Sequence, residues 1–258
     1  MNTTASHPAE RITLVTGARG GIGRALVERL RRDGHRVAAV GRDATTLADV
    51  TADAHIAADT TTPEGAAAAI AACRELLGAA PSGLAHCVGS TLIAPLHRTS
   101  AAQYREVMRV NLDSVVFMLQ AWIEGLRGAG QSASGQGGSA VLCASVVSRI
   151  GVANHEAIAA AKGGIEALAR SAAATYAPLG LRINVVAPGM TDTPMTAGML
   201  RLDAMREGAG RQYPLGGVQQ AGEVADAMAW LLSGAASRIT GQVIAVDGGF
   251  TTVRPLVK

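Results

Sequence analysis

The chain has no uninterrupted apolar run approaching the ~20 residues needed to cross a bilayer, although 48% of its 258 residues are apolar. A soluble protein with no membrane partner is expected. The opening segment, MNTTASHPAE, is polar and lacks the apolar stretch of a secretory signal, so residues 1–10 read as a loose tail and the expected location is cytoplasmic. Cysteine is scarce. Cys73, Cys87 and Cys143 are odd in number and widely spaced, and Cys87 and Cys143 lie in apolar runs that read as strands. That pattern argues against a disulfide framework or a zinc site and for reduced thiols; no metal ligand set is expected. Charge is also modest: the net value is +3, and no block of Lys and Arg interleaved with aromatics forms a stripe. Nucleic-acid binding therefore has no support, and the scattered basic residues suit a small anionic ligand instead.

The chain does contain a repeated alternation. ITLVTG is a short apolar run ending in Gly, and IGRALVERLRRDG then places Ile22, Leu26 and Leu30 on one helical face before a stop at Gly34. RVAAVG, AHIAAD, GLAHCVG, SAVLCAS, LRINVVAPG and GQVIAVDGG supply six more strand-like runs, most of them separated by helical patterns. Short apolar strands alternating with helices imply a parallel sheet shielded on both faces. The expected fold is a single α/β domain over 11–258, Rossmann-type and doubly wound, with a seven-stranded parallel sheet and helices on both faces. The Gly-, Ser- and Gln-rich stretch Gly128 to Ala140 reads as a flexible surface loop. Between about 191 and 217 the chain leaves the pattern for a short Met- and Leu-bearing helix bounded by Gly and Pro. An excursion at the carboxyl end of a strand is where substrate lids sit.

The first turn, TGARGGIG, sets Gly17, Gly21 and Gly23 between strand and helix. Glycines there permit a tight turn and close approach of backbone to a pyrophosphate, whose charge the helix N-terminus favours. Their spacing resembles the T-G-x-x-x-G-I-G signature of the short-chain dehydrogenase/reductase family, and the resemblance extends over nearly the whole chain. It implies a nicotinamide coenzyme held by Gly17, Arg19, Gly21, Ile22 and Gly23, with Asp59 at the adenine and Gly89 ending the fourth strand. Asn111 lies in a matching RVNL helix. APGMTDTPM resembles the segment that embraces the nicotinamide, which brings in Pro188, Gly189, Thr191 and Thr193. A homo-oligomer, commonly a tetramer built through the fourth and fifth helices and the C-terminal strand region, is also implied.

Charge bears on which coenzyme. After the second strand comes VGRD, so Gly41 stands where an acidic residue would hydrogen-bond the ribose 2′-hydroxyl, and Arg42 follows it. NADP(H) is favoured over NAD(H), with Arg19 as a second cation. The alternative is that Arg42 is a solvated surface charge beside Asp43.

The resemblance breaks at one position. In the family a Ser ending the fifth strand orients the substrate carbonyl, a Tyr thirteen residues later donates the proton, and a Lys four beyond that lowers the Tyr pKa and holds the ribose. Counting from Ser145 reaches Ile158 and then Lys162. An aliphatic side chain has no proton to give. His155, three residues before Ile158 and seven before Lys162, falls on approximately the same helical face, about one turn nearer the entrance. Its neutral imidazole can donate or accept one proton. Glu156 reads as a favourable charge at the helix N-terminus. Ser145 can still bind a carbonyl or imine, and Asn111 can hold a water beside Lys162. Each has a structural alternative: a strand-end hydroxyl for Ser145, a solvated His155, one more apolar contact for Ile158. Tyr104, Tyr176 and Tyr213 stand outside the motif, and of these only Tyr213, in the lid, can swing toward substrate. Leu92, Ile93, Val147, Ile150 and Met199 suggest an apolar pocket.

The leading expectation is an NADP(H)-dependent oxidoreductase transferring hydride to or from a small carbonyl, imine or activated alkene. His155, a substrate group or water then handles the proton. The rivals are a non-redox isomerase, dehydratase or cyclase that uses the old cleft, and a catalytically silent nucleotide-binding protein.

Overall fold

A computed structural model describes residues 11–128 and 137–254. In chain order its strands are β1 Ile12–Thr16, β2 Arg36–Gly41, β3 Ala54–Ala57, β4 Gly83–His86, β5 Ser139–Cys143, β6 Arg182–Pro188, β7 Thr191–Asp192, β8 Gln219–Gln220 and β9 Val243–Val246. The helices are α1 Gly21–Arg32, α2 Pro63–Leu77, α3 Ala101–Met108, α4 Ser114–Gly128, α5 Glu156–Tyr176, α6 Asp203–Gly210 and α7 Ala221–Leu232. Seven strands form one sheet in the order β3-β2-β1-β4-β5-β6-β9, and each neighbouring pair is parallel. The expected single-domain, doubly wound sheet is what the chain forms.

Alternation along each strand divides the core in two. Leu14 of β1 points into the layer packed by α2, α4 and α5, and Val15 into the layer packed by α1 and α7. Both faces are covered, which is why these strands read as continuous apolar runs. Each Leu or Ile sealed in those layers contributes about 1.5–3 kcal/mol relative to exposure. Trp122 is fully buried, and its indole N–H donates to the Pro81 carbonyl at 2.8 Å. Local signals agree with the helix bounds: Thr62 caps α2 by accepting from Gly65 N, Pro63 opens the helix, and Gly78 closes it in the left-handed region.

One expectation needs revision. The loop placed at Gly128 to Ala140 is shorter at both ends, because α4 runs through Gly128 and β5 begins at Ser139; residues 129–136, like the tail at 1–10, lie outside the described residues. The excursion at 191–217 does carry a helix, α6, and it is bracketed by β7 and β8, which pair with each other. Strands of two residues are too short to show a period in sequence.

Strand order reverses between β1 and β4, and in open α/β sheets ligands bind outside the carboxyl ends of the strands at such a point.

Candidate active site

The turn from β1 to α1 accepts only glycine at its first position. Gly17 has φ +64°, and a Cβ there would lie 2.8 Å from the Cys87 carbonyl carbon and 2.9 Å from Val88 N. A Cβ on Gly23 would drive into the Gly17 carbonyl oxygen. Helix α1 then starts with no side-chain cap and no acidic residue in its first turn, so its leading N–H groups are left to an anion. A dinucleotide's diphosphate fits this cradle. Thr193 packs over it: a Cβ on Gly21 would meet Thr193 Cγ2 at 2.7 Å.

Beyond β2, the Asp43 carboxylate accepts from Thr45 N and Thr45 Oγ1, both at 2.9 Å. These bonds hold its pKa below the usual range and commit it to its own turn. Among the described residues neither Arg19 nor Arg42 forms an ion pair. Asp59 accepts from Thr61 Oγ1 at 2.6 Å and Thr61 N at 3.0 Å. The hydroxyl bond is the main reason its pKa is depressed, with the Arg109 and Arg42 guanidiniums adding to it.

Beside the cradle a cavity of about 380 Å³ opens between the ends of β4, β5 and β6 and the segment 191–217. Ile22, Gly89, Ser145, His155, Ile158, Lys162, Pro188, Gly189, Thr191 and Thr193 all line it. Gly17, Arg19, Gly21, Gly23, Arg42, Asp59 and Asn111 do not. They surround it at the strand ends or from behind.

Lys162 is buried, and its Nζ donates to the Cys143 carbonyl at 2.9 Å. Burial pulls the ammonium pKa down, while the neighbouring Cys143 and Cys87 partly oppose the shift. Such a cation gains from polar or anionic partners in the cavity. Asn111 sits in a π-helical turn, Arg109–Asp113. Its amide donates to Val107 O at 2.9 Å and Ser90 Oγ at 3.0 Å, and its oxygen accepts from Ser90 N at 3.1 Å. One donor is thus committed to α3 and the other to the loop after Gly89, so Asn111 ties that loop to the helix and has no N–H left to give a water. Ser145 Oγ accepts from Val147 N at 3.4 Å, which leaves its hydrogen without an acceptor among the described residues. Ser148 donates to the buried Glu166 carboxylate at 2.6 Å and pins the turn beside Ser145 to α5.

His155 departs from expectation. It is the residue before α5, with φ −114° and ψ 18°, and not part of the first helical turn. Asn154, at φ 64°, turns the chain just ahead of it, a conformation Asn tolerates better than most residues. His155 Nδ1 lies 2.7 Å from the Ala153 carbonyl. A carbonyl only accepts, so Nδ1 carries the hydrogen and Nε2 of the neutral ring is an acceptor.

Ile158 is 3% exposed and packs with Val107, Ala157 and Ala161, with Leu92 against the same group. Ile93, Val147 and Met199 line the cavity as expected. Leu92 instead faces the Ile158 group, and Ile150 is 39% exposed outside the cavity. Tyr104 lies on the surface of α3 and Tyr176 ends α5, both away from the lining. Tyr213 does line the cavity; its oxygen accepts from Met190 N at 2.7 Å and its ring tilts against Phe250. Burial raises its pKa.

Sequence reasoning passed over His86. Its Nδ1 accepts from Thr16 Oγ1 at 2.9 Å, and its Nε2 donates to Ser114 Oγ at 3.0 Å, which in turn donates to Val110 O at 2.7 Å. Complete burial, aided by Lys162, lowers its pKa to about 3. A histidine inside an otherwise apolar strand was the available signal. Cys87 and Cys143, expected only as reduced thiols, are free and line the cavity. Among the described residues no group of His, Cys, Asp or Glu is arranged to hold a metal ion, and no helix is long and apolar enough to cross a membrane.

A seven-stranded Rossmann sheet with a glycine cradle, a Ser and a Lys at its carboxyl end defines a nicotinamide-dependent class. A family model described as "Enoyl-(Acyl carrier protein) reductase" matches residues 17–251, and the chain belongs to the short-chain dehydrogenase/reductase family. It is 36% identical over 252 residues to a cis-4-hydroxycyclohexanecarboxylate dehydrogenase of Sinomonas cyclohexanicum, covering 95% of this chain and 98% of that one. It is 34% identical to a galactitol 2-dehydrogenase of Cereibacter sphaeroides over 92% and 93% of the two chains. Among solved structures, a 3-ketoacyl-(acyl-carrier-protein) reductase from Brucella melitensis complexed with NADH superimposes with a TM-score of 0.87. It is 25% identical and the match covers 95% of this chain and 100% of that one. The chain is thus an oxidoreductase of a fold that binds nicotinamide coenzymes.

Proposed function

We propose that this protein is an NADP(H)-dependent oxidoreductase that works without the family's phenol. It interconverts a small alcohol with its carbonyl compound, and the same cavity suits an imine or activated alkene. The observation that carries the reading is the convergence of Ser145, His155 and Lys162 on one cavity beside an uncapped helix N-terminus, with Ile158 between them. When bound, the coenzyme supplies or removes the hydride. Lys162 holds its ribose hydroxyls, and Arg42 with Arg19 answers a 2′-phosphate, a role supported by Gly41 and by the commitment of Asp43 to Thr45. Ser145 donates its free hydrogen to the substrate oxygen. His155 Nε2, an acceptor in the neutral ring, takes the hydroxyl proton during alcohol oxidation. In the reverse direction the imidazolium returns it. General acid–base help of this kind is worth about 10²–10⁴ in rate, roughly 3–5 kcal/mol of barrier.

The apolar lining and the relatives together favour ring substrates. One relative acts on a hydroxycyclohexanecarboxylate and another, from Sphingobium indicum, on a dichlorocyclohexadiene diol. The same reading carries a cytoplasmic homotetramer assembled through α4 and α5, where Val116 and Leu168 remain partly exposed.

The test is coenzyme absorbance during turnover. NADP⁺ is offered with cyclohexanols, including cis-4-hydroxycyclohexanecarboxylate, and NADPH with the matching ketones, imines and enones. Turnover that prefers NADP(H) and collapses in His155→Ala supports the reading. Tight coenzyme binding with no hydride transfer to any compound overturns it in favour of a non-redox catalyst or a silent binder.

A further inference from the structure

A second cavity lies far from the nicotinamide cradle. At the opposite end of the sheet, where β1, β4, β5 and β6 begin, a cleft of about 530 Å³ is lined by Arg11, Arg182, Arg238 and His35, together with several hydroxyls. Among the described residues no carboxylate lines it. Among the described residues none of the three arginines forms an ion pair. Asp33, the carboxylate that acts on His35, is held by Arg29 at 3.0 Å.

Part of this charge has a folding role. Arg182 donates to the carbonyls of Leu231 at 2.8 Å and Ser233 at 3.0 Å, and Arg11 donates to Leu232 O at 3.4 Å. These carbonyls close α7, where a cation complements the helix dipole. Arg11 is close enough to lower the pKa of Arg182 and of His35, in both cases adding to the larger effect of burial. Arg238, exposed on the far wall, has no hydrogen-bond partner among the described residues. Like charges are therefore gathered around a space that no carboxylate among the described residues neutralises.

We propose that this cleft binds a small, multiply charged phosphate, with the Arg11 and Arg238 guanidiniums as its principal ligands and Arg182 as a fixed charge behind them. The guanidinium fork matches phosphate oxygens in bidentate fashion. The cleft lies at the amino ends of the strands whose carboxyl ends lead into Gly17, Gly89, Ser145 and Gly189, so it is distinct from the coenzyme cradle.

Calorimetry on the full chain tests this with inorganic phosphate and pyrophosphate as probes, against sodium chloride at matched ionic strength. Pyrophosphate is expected to bind more tightly than phosphate. Arg11→Gln and Arg238→Gln are each expected to weaken it about tenfold or more, since charge-assisted hydrogen bonds are lost. Arg238→Lys should recover part of the affinity, and Arg42→Gln, at the other end of the sheet, should leave it unchanged. Arg182 is kept because α7 depends on it. Three results overturn the proposal: heats no larger than those of chloride, unchanged affinity in the Arg11→Gln/Arg238→Gln double variant, or loss confined to Arg42→Gln, which would assign the anion to the coenzyme site. None of these depends on hydride transfer.

Discussion

At the β1–α1 turn the backbone leaves room for one residue type, whereas position 158 of α5 is surrounded by side chains. A Cβ on Gly17 would strike the backbone of Cys87 and Val88, and one on Gly23 the Gly17 carbonyl. Backbone cannot be repacked, so the cradle and the fold stand or fall together. At position 158 an isoleucine simply joins Val107, Ala157 and Ala161 in a small apolar group. Its neighbours are side chains, which can shift to admit a larger group at a modest cost. Coenzyme binding is thus written into steric necessity, while proton transfer is written into side-chain identity, which can change with the backbone left in place.

The sharpest way to probe that contrast is to place a phenol at position 158. Ile158→Tyr is expected to fold with a loss of about 1–3 kcal/mol from overpacking. It should raise carbonyl reduction by about 10²–10⁴, measured as NADPH consumption with a cyclic ketone. No gain, with the variant folded and coenzyme bound, would mean that Ser145 and Lys162 are not disposed around a reacting carbonyl. The opposite change is Gly17→Ala. Backbone strain alone costs about 1–3 kcal/mol, and displacement of Cys87 and Val88 should lower NADPH affinity by about 10² or more. Titration calorimetry and a thermal melt would register both. Unaltered binding would show that the diphosphate does not rest on this turn.

His155 tests the chemical half of the comparison at its proposed working group. His155→Ala is expected to cut alcohol oxidation by about 10² while coenzyme affinity stays level, because the ring touches the substrate cavity and not the cradle. An unchanged kcat would pass the proton to water or to a substrate group.

His86 lies beneath the cradle, where it links Thr16 of β1 to Ser114 of α4. Its folded pKa of about 3 lies below the 6.5 of a free imidazole, so below pH 6.5 the unfolded chain binds a proton that the native chain refuses. Its contribution to stability is therefore intact above pH 6.5. As the pH falls from 6.5 toward 3 it is lost at up to about 1.4 kcal/mol per pH unit. Denaturant melts of the native chain and of His86→Asn across that range should show the slope shrink in the variant. Identical slopes would place the acid sensitivity elsewhere.

What could be read beforehand follows the same division. Seven apolar runs, helical spacing between them and TGARGGIG specify the sheet and its cradle through local rules, and the structure bears out that architecture. The two-residue strands β7 and β8 carry no period to detect. The seat of His155 depends on a positive φ at Asn154 and on the Ala153 carbonyl, which are features of a loop and not of a helical wheel. Asn111 was placed correctly in the RVNL segment, but its two donors are taken by Val107 and Ser90, partners whose positions only the folded chain reveals. Tyr213 was separated from the Ser-Lys motif by more than fifty residues, and its bond to Met190 N is likewise a product of tertiary packing.

Arg42 offers the finest test, because it lies on the cradle side yet acts through side-chain charge. Arg42→Ala is expected to weaken NADPH about tenfold, the loss of one charge-assisted hydrogen bond, and to leave NADH affinity unchanged, since the two coenzymes differ only at the 2′-phosphate. Raising the salt concentration should reduce the difference, as it does for exposed charges. If both coenzymes weaken equally, Arg42 acts on the shape of the turn after β2. If neither changes, it is a solvated surface charge and the preference must come from Arg19. Either outcome would still leave the steric argument at Gly17 intact, because that argument concerns where the diphosphate rests and not which ribose follows it.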